Sequence, residues 1–449
     1  MDFELKLVIK QLNEFFTLFL VFPAIILIGT YLTIKLKFLQ ITKLRLSLRY
    51  LLSKRKVKLG GISNYQAVAG ILAGNFGTGN ISGMAIALTT GGPGSLVWMW
   101  VMAFFGAAIQ YTSCTLATKY RLKNAKGEYI GGPMYYLRDG LKKNGLAALF
   151  ALSAIAGAIT CGNFVQVNSL VLPLAKYGIN PLYVALGMSA ILGFVIVGGI
   201  QRFAKVASSL VPIMASFYLI AALIIITFHF NEVPKALSTI FHSAFSISSL
   251  FGGTMGYGVF KAITTGFDRG LFATDAGTGL VPVIQASADS NHPVVSGVVT
   301  VLTPFLVMLL CTITALVLMV TNVWTDSGLL STDLCALAFE KGLAVPFNVT
   351  SGGWIVIVSL FLFAVTTILA WSVCAERAVE FLFGSSIIKY FRYFFIAMIP
   401  VGAVMHVDMV WLVADLSISM MLITNMIGIV GLSRGVIVDS RTFFAKQLV

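Results

Sequence analysis

Apolar runs of about twenty residues, the length a helix needs to cross a bilayer, recur about eleven times along this chain. They fall at 14–36, 66–90, 95–118, 147–174, 181–200, 204–228, 252–287, 293–322, 352–376, 388–406 and 408–431. Inside hydrocarbon every backbone polar group must find a partner within protein, so such a chain can only form helices or a closed barrel. Barrel strands alternate in segments of about ten residues, and these runs do not. The fold class expected is therefore an all-α polytopic membrane protein. Its 11% of charged residues sits far below the roughly 25% of soluble domains. The first run is too long for a signal-peptide core and no small-residue cleavage site follows it, so it is expected to be retained.

The net charge of +14 does not call for nucleic acid, because its placement follows topology. Lys35, Lys37, Lys43, Arg45, Arg49, Lys54, Arg55, Lys56 and Lys58 crowd the 35–60 loop with no acid. Loop 119–146, Arg202 with Lys205, Lys389 with Arg392, and the tail continue the pattern, so every second loop is basic. The opposite loop 323–351 carries Asp326, Asp333 and Glu340 against Lys341 alone. Cytoplasmic loops collect Lys and Arg, which sets the N-terminus outside, the C-terminus in the cytoplasm and the chain in the plasma (inner) membrane. The 233–250 stretch, with Phe241 and Phe245 among polar residues, reads as a short surface helix or an ordinary loop. Cys114, Cys161, Cys311, Cys335 and Cys374 lack CxxC spacing and read as small core residues.

Within the second run lies AGNFGTGNISG, Ala73 to Gly83, where hydropathy demands a helix and the residues break one. A dinucleotide loop would need a third glycine where Ser82 stands, and a preceding strand. Gly70 with Gly74, and Gly79 with Gly83, also fit close helix packing. A discontinuous helix is the third reading. In secondary transporters such breaks occur in corresponding positions of two halves. The sequence supplies the second in LFATDAGTGLVP, Leu271 to Pro282. If 66–228 and 252–431 each hold five spans, each half opens with its glycine-rich span, and the halves are inverted. The whole is then a single transporter domain: a five-plus-five inverted repeat with one extra N-terminal helix at 14–36.

Four stretches carry a family resemblance: GNFGTGNISGMAIALTTGGPGSLVWMW (74–100), GGPMYYL (131–137), RGLFATDAGTG (269–279) and TTILAWSVCAERAVEFLFG (366–384). In order, and over nearly the whole chain, they resemble the alanine or glycine:cation symporters. That resemblance implies a LeuT-type fold, uptake of a small neutral amino acid and Na⁺ as the coupling ion. Departures occur where the family's usual Ser-Asn-Glu-Ala-Gly reads Ala273-Thr274-Asp275-Ala276-Gly277, and where Ala370 and Val373-Cys374 flank the Trp371 stretch.

An amino acid presents a carboxylate, an ammonium and a small side chain. Backbone N–H groups at the restarted helix, around Thr78, Gly79 and Asn80, suit the carboxylate, with the Thr78 hydroxyl and Asn80 amide adding bonds or merely capping the break. For Na⁺, the resemblance implies carbonyls of Gly74 and Gly77 with hydroxyls of Thr366 and Thr367. Adjacent helical threonines point about 100° apart, and each can instead bond its own helix. Asn163 and Gln166, three apart, are expected on one face, and the resemblance assigns Gln166 to substrate. Phe272, and similarly Trp371, suit an apolar lid or ordinary core. Asp275 is expected to pair with Arg269, and Glu376 with Arg377 at a helix end. A membrane enzyme would need a nucleophile, metal ligands or paired carboxylates at depth, and only Asp268 and Asp275 are present there. A channel lacks its repeated pore loop. The alternative on the same fold is a proton-coupled symporter or exchanger of small amino acids such as D-alanine or serine. No second subunit is called for, and a monomer is expected.

Overall fold

The computed structural model describes residue 8 and residues 11–446, apart from 14, 54–56, 58, 59, 176, 177, 246–255, 326–330, 348–350 and 406. Lys54, Arg55, Lys56, Lys58 and Asp326 of the loop readings, and the 246–250 part of the outer stretch, lie outside the described residues. The chain is helical: α1 (Phe22–Lys35), α2 (Leu44–Leu51), α3 (Asn64–Asn75), α4 (Ser82–Gly91), α5 (Ser95–Lys119), α6 (Asn144–Ile159), α7 (Val165–Ala175), α8 (Pro181–Ile196) and α9 (Gly199–Phe228). It continues through α10 (Val233–Phe245), α11 (Gly256–Thr274), α12 (Leu280–Ala286), α13 (Pro293–Thr300), α14 (Thr303–Val320), α15 (Ser331–Phe347), α16 (Gly353–Phe383), α17 (Ile388–Val404) and α18 (Val407–Lys446).

Eight helical stretches are long and apolar enough to cross a membrane. The runs at 66–90 and 252–287 are not among them, because each is split into two short helices. α8 is apolar but shorter. Large apolar side chains point outward from the bundle, among them Phe194 on α8 and Ile213 and Ile220 on α9, an arrangement stable only against lipid. α10 forms a surface helix with Phe241 and Phe245 exposed. The all-α expectation misses one detail: strands β1 (Leu122–Lys123) and β2 (Tyr129–Ile130) form a small antiparallel hairpin. Its turn is local chemistry. Asn124 Oδ1 accepts from the N–H groups of Lys126 and Glu128, both at 3.0 Å, and Gly127 takes φ +76°, an Asx-type turn.

α5 and α16 are the long central helices against which both broken pairs pack. A capping box starts α3: Ser63 Oγ accepts from Gln66 N at 3.1 Å and Gln66 Oε1 accepts from Ser63 N at 3.0 Å. The breaks then meet side to side. A β-carbon on Gly74 would lie 2.9 Å from Leu280 of α12, so the bare glycine is what lets the halves touch.

Candidate functional site

At the first break Phe76 leaves helical geometry and Gly77 is fully extended (φ −101°, ψ −174°), before one 3₁₀ turn, Thr78–Asn80, leads into α4. The carbonyls this frees do not stay bare. Asn80 Nδ2 donates to the Asn75 carbonyl at 2.5 Å and to that of Gly77 at 3.4 Å, while Cys311 Sγ donates back to Asn80 Oδ1 at 3.2 Å. At the second break three residues of five are left-handed: Asp275 (φ +49°), Gly277 (φ +100°) and Gly279 (φ +106°). Two of these are glycines because L side chains are strained there. Thr278 Oγ1 donates to the Asp275 carbonyl at 2.9 Å, and Asn425 Nδ2 of α18 to that of Gly277 at 2.7 Å. Asn75 Nδ2 donates to the Thr274 carbonyl at 2.9 Å, joining one break to the other.

Around this junction the structure gathers most of the sequence-selected residues. Gln166 Oε1 accepts from both the backbone N–H of Thr78 (3.1 Å) and its hydroxyl (3.0 Å). Thr367 Oγ1 reaches the carbonyls of Ala73 (3.1 Å) and Gly74 (3.4 Å). Gly77 lies between them: a β-carbon there would sit 3.0 Å from Thr367 Oγ1 and 3.2 Å from Gln166 Oε1. The Phe272 ring covers Gly79, whose β-carbon would fall 2.6 Å from it, and packs on Trp411 with centroids 4.9 Å apart. Trp371, buried one turn beyond Thr367 on α16, presses on Gly162.

Other residues are placed apart. Thr366 donates to the carbonyl of Phe363 in its own helix at 3.0 Å and faces Met214. Asn163 does not share a partner with Gln166. A π-helical turn over Thr160–Phe164 shifts the register of the fourth span, so Asn163 Nδ2 donates to Phe395 of α17 at 3.2 Å. The bulge also exposes the Cys161 carbonyl, which Gln166 Nε2 bonds at 3.1 Å.

Two pairings differ from the sequence expectation. Arg269 engages Asp268 at 2.8 Å and Asp415 of α18 at 3.8 Å, not Asp275. Six residues of helix separate 269 from 275, a rise of about 9 Å, and the break turns the chain beyond. Glu376 and Arg377 point to different neighbours, as consecutive helical residues do. Glu376 is clamped by Arg392 with two bonds of 2.7 Å, while Arg377 bridges Glu380 (2.7 Å) and Glu128 (2.8 Å). Both are buried. Asn75, Trp411, Asp415 and Asn425 were not singled out in the sequence. Asp415, an acid within an apolar run, carried the signal that could have found it.

A helical membrane bundle with two discontinuous helices meeting at mid-chain contacts is the architecture of secondary transporters. A substrate-bound, outward-open Na⁺-coupled sialic acid symporter shares the fold at TM-score 0.56 and 12% identity, over 83% of this chain and 80% of that one. The chain belongs to the sodium:alanine symporter family, whose pattern matches residues 2–448. The sodium/alanine symporter AgcS of Methanococcus maripaludis is 38% identical over 93% of each chain. The probable sodium/glutamine symporter GlnT of Bacillus subtilis is 35% identical, over 90% of this chain and 84% of its own. The protein is thus a multi-pass membrane transporter and not an enzyme.

Proposed function

We propose that this chain is a Na⁺-coupled symporter taking up a small neutral amino acid, alanine or glycine, by alternating access. The observation carrying this reading is the double hydrogen bond of Gln166 Oε1 to Thr78 N and Oγ1. An acceptor oxygen already sits on the donors at the restarted helix, where an amino-acid carboxylate would bind more strongly because it is charged. Thr78, Gly79, Asn80 and Gln166 are the proposed substrate groups, with Phe272 and Trp371 enclosing a small side chain. Asn163 supports the site from α17. The relatives' names, alanine in one and glutamine in the other, fit the amino-acid class.

Na⁺ prefers hard oxygen ligands. Thr367 Oγ1 beside the Ala73 and Gly74 carbonyls supports an ion there, with the Gly77 carbonyl completing it and Thr366 joining when α16 turns. The eight long spans, two broken pairs and α8 supply the eleven crossings required by a LeuT-type five-plus-five inverted repeat, 66–228 and 252–431, after the extra helix. Rocking of one bundle against the other then exposes the breaks to each side in turn. The basic loops set the C-terminus in the cytoplasm and the N-terminus outside. The test is radiolabelled alanine uptake into proteoliposomes. Accumulation is expected with an inward Na⁺ gradient; uptake indifferent to Na⁺ but driven by a pH gradient would move the protein to the proton-coupled alternative.

A further inference from the structure

The junction between the breaks holds two oxygen atoms that nothing in the Na⁺ and substrate assignments uses. Asp275 is buried, 2% exposed, and its Oδ1 has no hydrogen-bond partner. Among the described residues no Lys or Arg forms an ion pair with it, the nearby Arg269 being engaged by Asp268 and Asp415. Asn75 is equally buried, and while its Nδ2 bonds the Thr274 carbonyl, its Oδ1 also lacks a partner. The peptide bond after Thr274 leads directly to Asp275, so both orphan oxygens belong to one junction.

A buried carboxylate without a counter-charge is costly. This one also follows the C-terminus of α11, where the helix dipole is negative and a cation is favoured. Its backbone is strained as well, since a non-glycine residue is held at φ +49°. Strain of this kind persists where surrounding structure enforces it. A proton would satisfy Asp275 alone and leave the Asn75 amide oxygen bare, whereas a hard monovalent cation is ligated by both.

We propose that Asp275 Oδ1 and Asn75 Oδ1 hold a second Na⁺, separate from the ion at Thr367. The proposal rests on the symporter reading and deepens it. The two positions are distinct because the Ala73 and Gly74 carbonyls face Thr367 of α16, while the Asn75 side chain turns to α11. One Na⁺ beside Asp275 leaves that junction neutral, and the other carries net charge with the zwitterion.

The test is the charge moved per alanine, read as the membrane potential that nulls alanine flux at a fixed Na⁺ gradient. Two Na⁺ minus no fixed-charge change gives two charges for the wild type, and the isosteric Asp275→Asn is expected to move one. Asn75→Ala is expected to weaken Na⁺ activation about tenfold, about 1.4 kcal/mol. If Asp275→Asn does not transport, radiolabelled Na⁺ bound to the purified protein is expected to fall from two ions per chain to one. A wild type binding one Na⁺, or a variant keeping both, overturns the proposal. So does loss of alanine binding with both ions retained, which assigns Asp275 to the substrate ammonium, or a second charge that follows pH and not Na⁺. A wild type that accumulates no alanine on a Na⁺ gradient defeats the symporter reading instead, and the bound-ion count then decides the second site by itself.

Discussion

Gly79 has no space for a side chain, since a β-carbon would lie 2.6 Å from the Phe272 ring. Overpacking of this kind costs about 1–3 kcal/mol when the neighbour must shift. Gly79→Ala is therefore expected to push Phe272 off the break and lower alanine kcat/KM by about tenfold or more. Phe272→Leu in the same chain should recover part of the loss, because residues in contact couple by about 0.5–3 kcal/mol. Additive effects would separate the two residues functionally. The adjacent threonines make a second comparison at this scale. Thr367→Val removes a hydroxyl 3.1 Å from the Ala73 carbonyl and is expected to raise the apparent KM for Na⁺ by about tenfold, the worth of about 1.4 kcal/mol. Thr366→Val removes a bond within α16 and should change it less than about threefold. Uptake titrated with Na⁺ for each variant checks the difference, and equal effects would put both hydroxyls on the ion.

The elements meeting where α16 ends are tied by charge. Arg377 is buried there and holds Glu380 of its own helix and Glu128 of the hairpin, while Asn124 Nδ2 bonds both Glu128 (3.2 Å) and Glu380 (3.1 Å). Taking one member from such a buried set strands the others, at a cost of about 3–5 kcal/mol. Arg377→Met is expected to lower the thermal stability of the detergent-purified protein accordingly. The hairpin end titrates in a definite direction. Burial pushes the Glu128 carboxyl up, but the Arg377 guanidinium and the bonds from Arg377 and Asn124 outweigh it, and the net value lies below the ordinary 4.5. A carboxylate depressed on folding adds stability above its unfolded pKa that is lost as pH falls through the folded one. The stability gap between wild type and Glu128→Gln should then be full at neutral pH and shrink only below about pH 4.5. A gap constant with pH would mean the charge on Glu128 is not what holds the hairpin. None of this network was legible from spacing, because Glu376 and Arg377 are neighbours in sequence and their partners lie on other elements. The π turn at Thr160–Phe164 was hidden for a related reason. One extra residue in a helical turn changes which side chains share a face, and apolar patterning does not record it.

For the whole molecule, apolar length alone located the spans, and Gly, Asn and Thr within it located both breaks, because these residue types are expensive in hydrocarbon unless a cavity or a side chain answers them. What length and type do not encode is which residues the packed halves bring into contact, so Asn75 to Thr274 and Asn425 to Gly277 emerged only from the fold. Orientation rests on the basic loops, and it has a direct test. All five native cysteines are free and buried, so a membrane-impermeant maleimide should find little background in intact cells. Lys123, exposed in the hairpin between α5 and α6, belongs to a basic loop, whereas Asn231, exposed just before α10, belongs to a loop on the opposite side. With basic loops in the cytoplasm, Asn231→Cys should label in intact cells and Lys123→Cys only after permeabilisation. Both positions are solvent-facing and make no bond on which the fold depends, so each variant should retain alanine uptake and report on a working transporter. The reverse labelling pattern would invert the protein in the membrane and assign the loop carrying Asn231 to the cytoplasm. Labelling of both in intact cells would require a crossing fewer or more between 123 and 231, where α6 with α7, α8 and α9 now provide three.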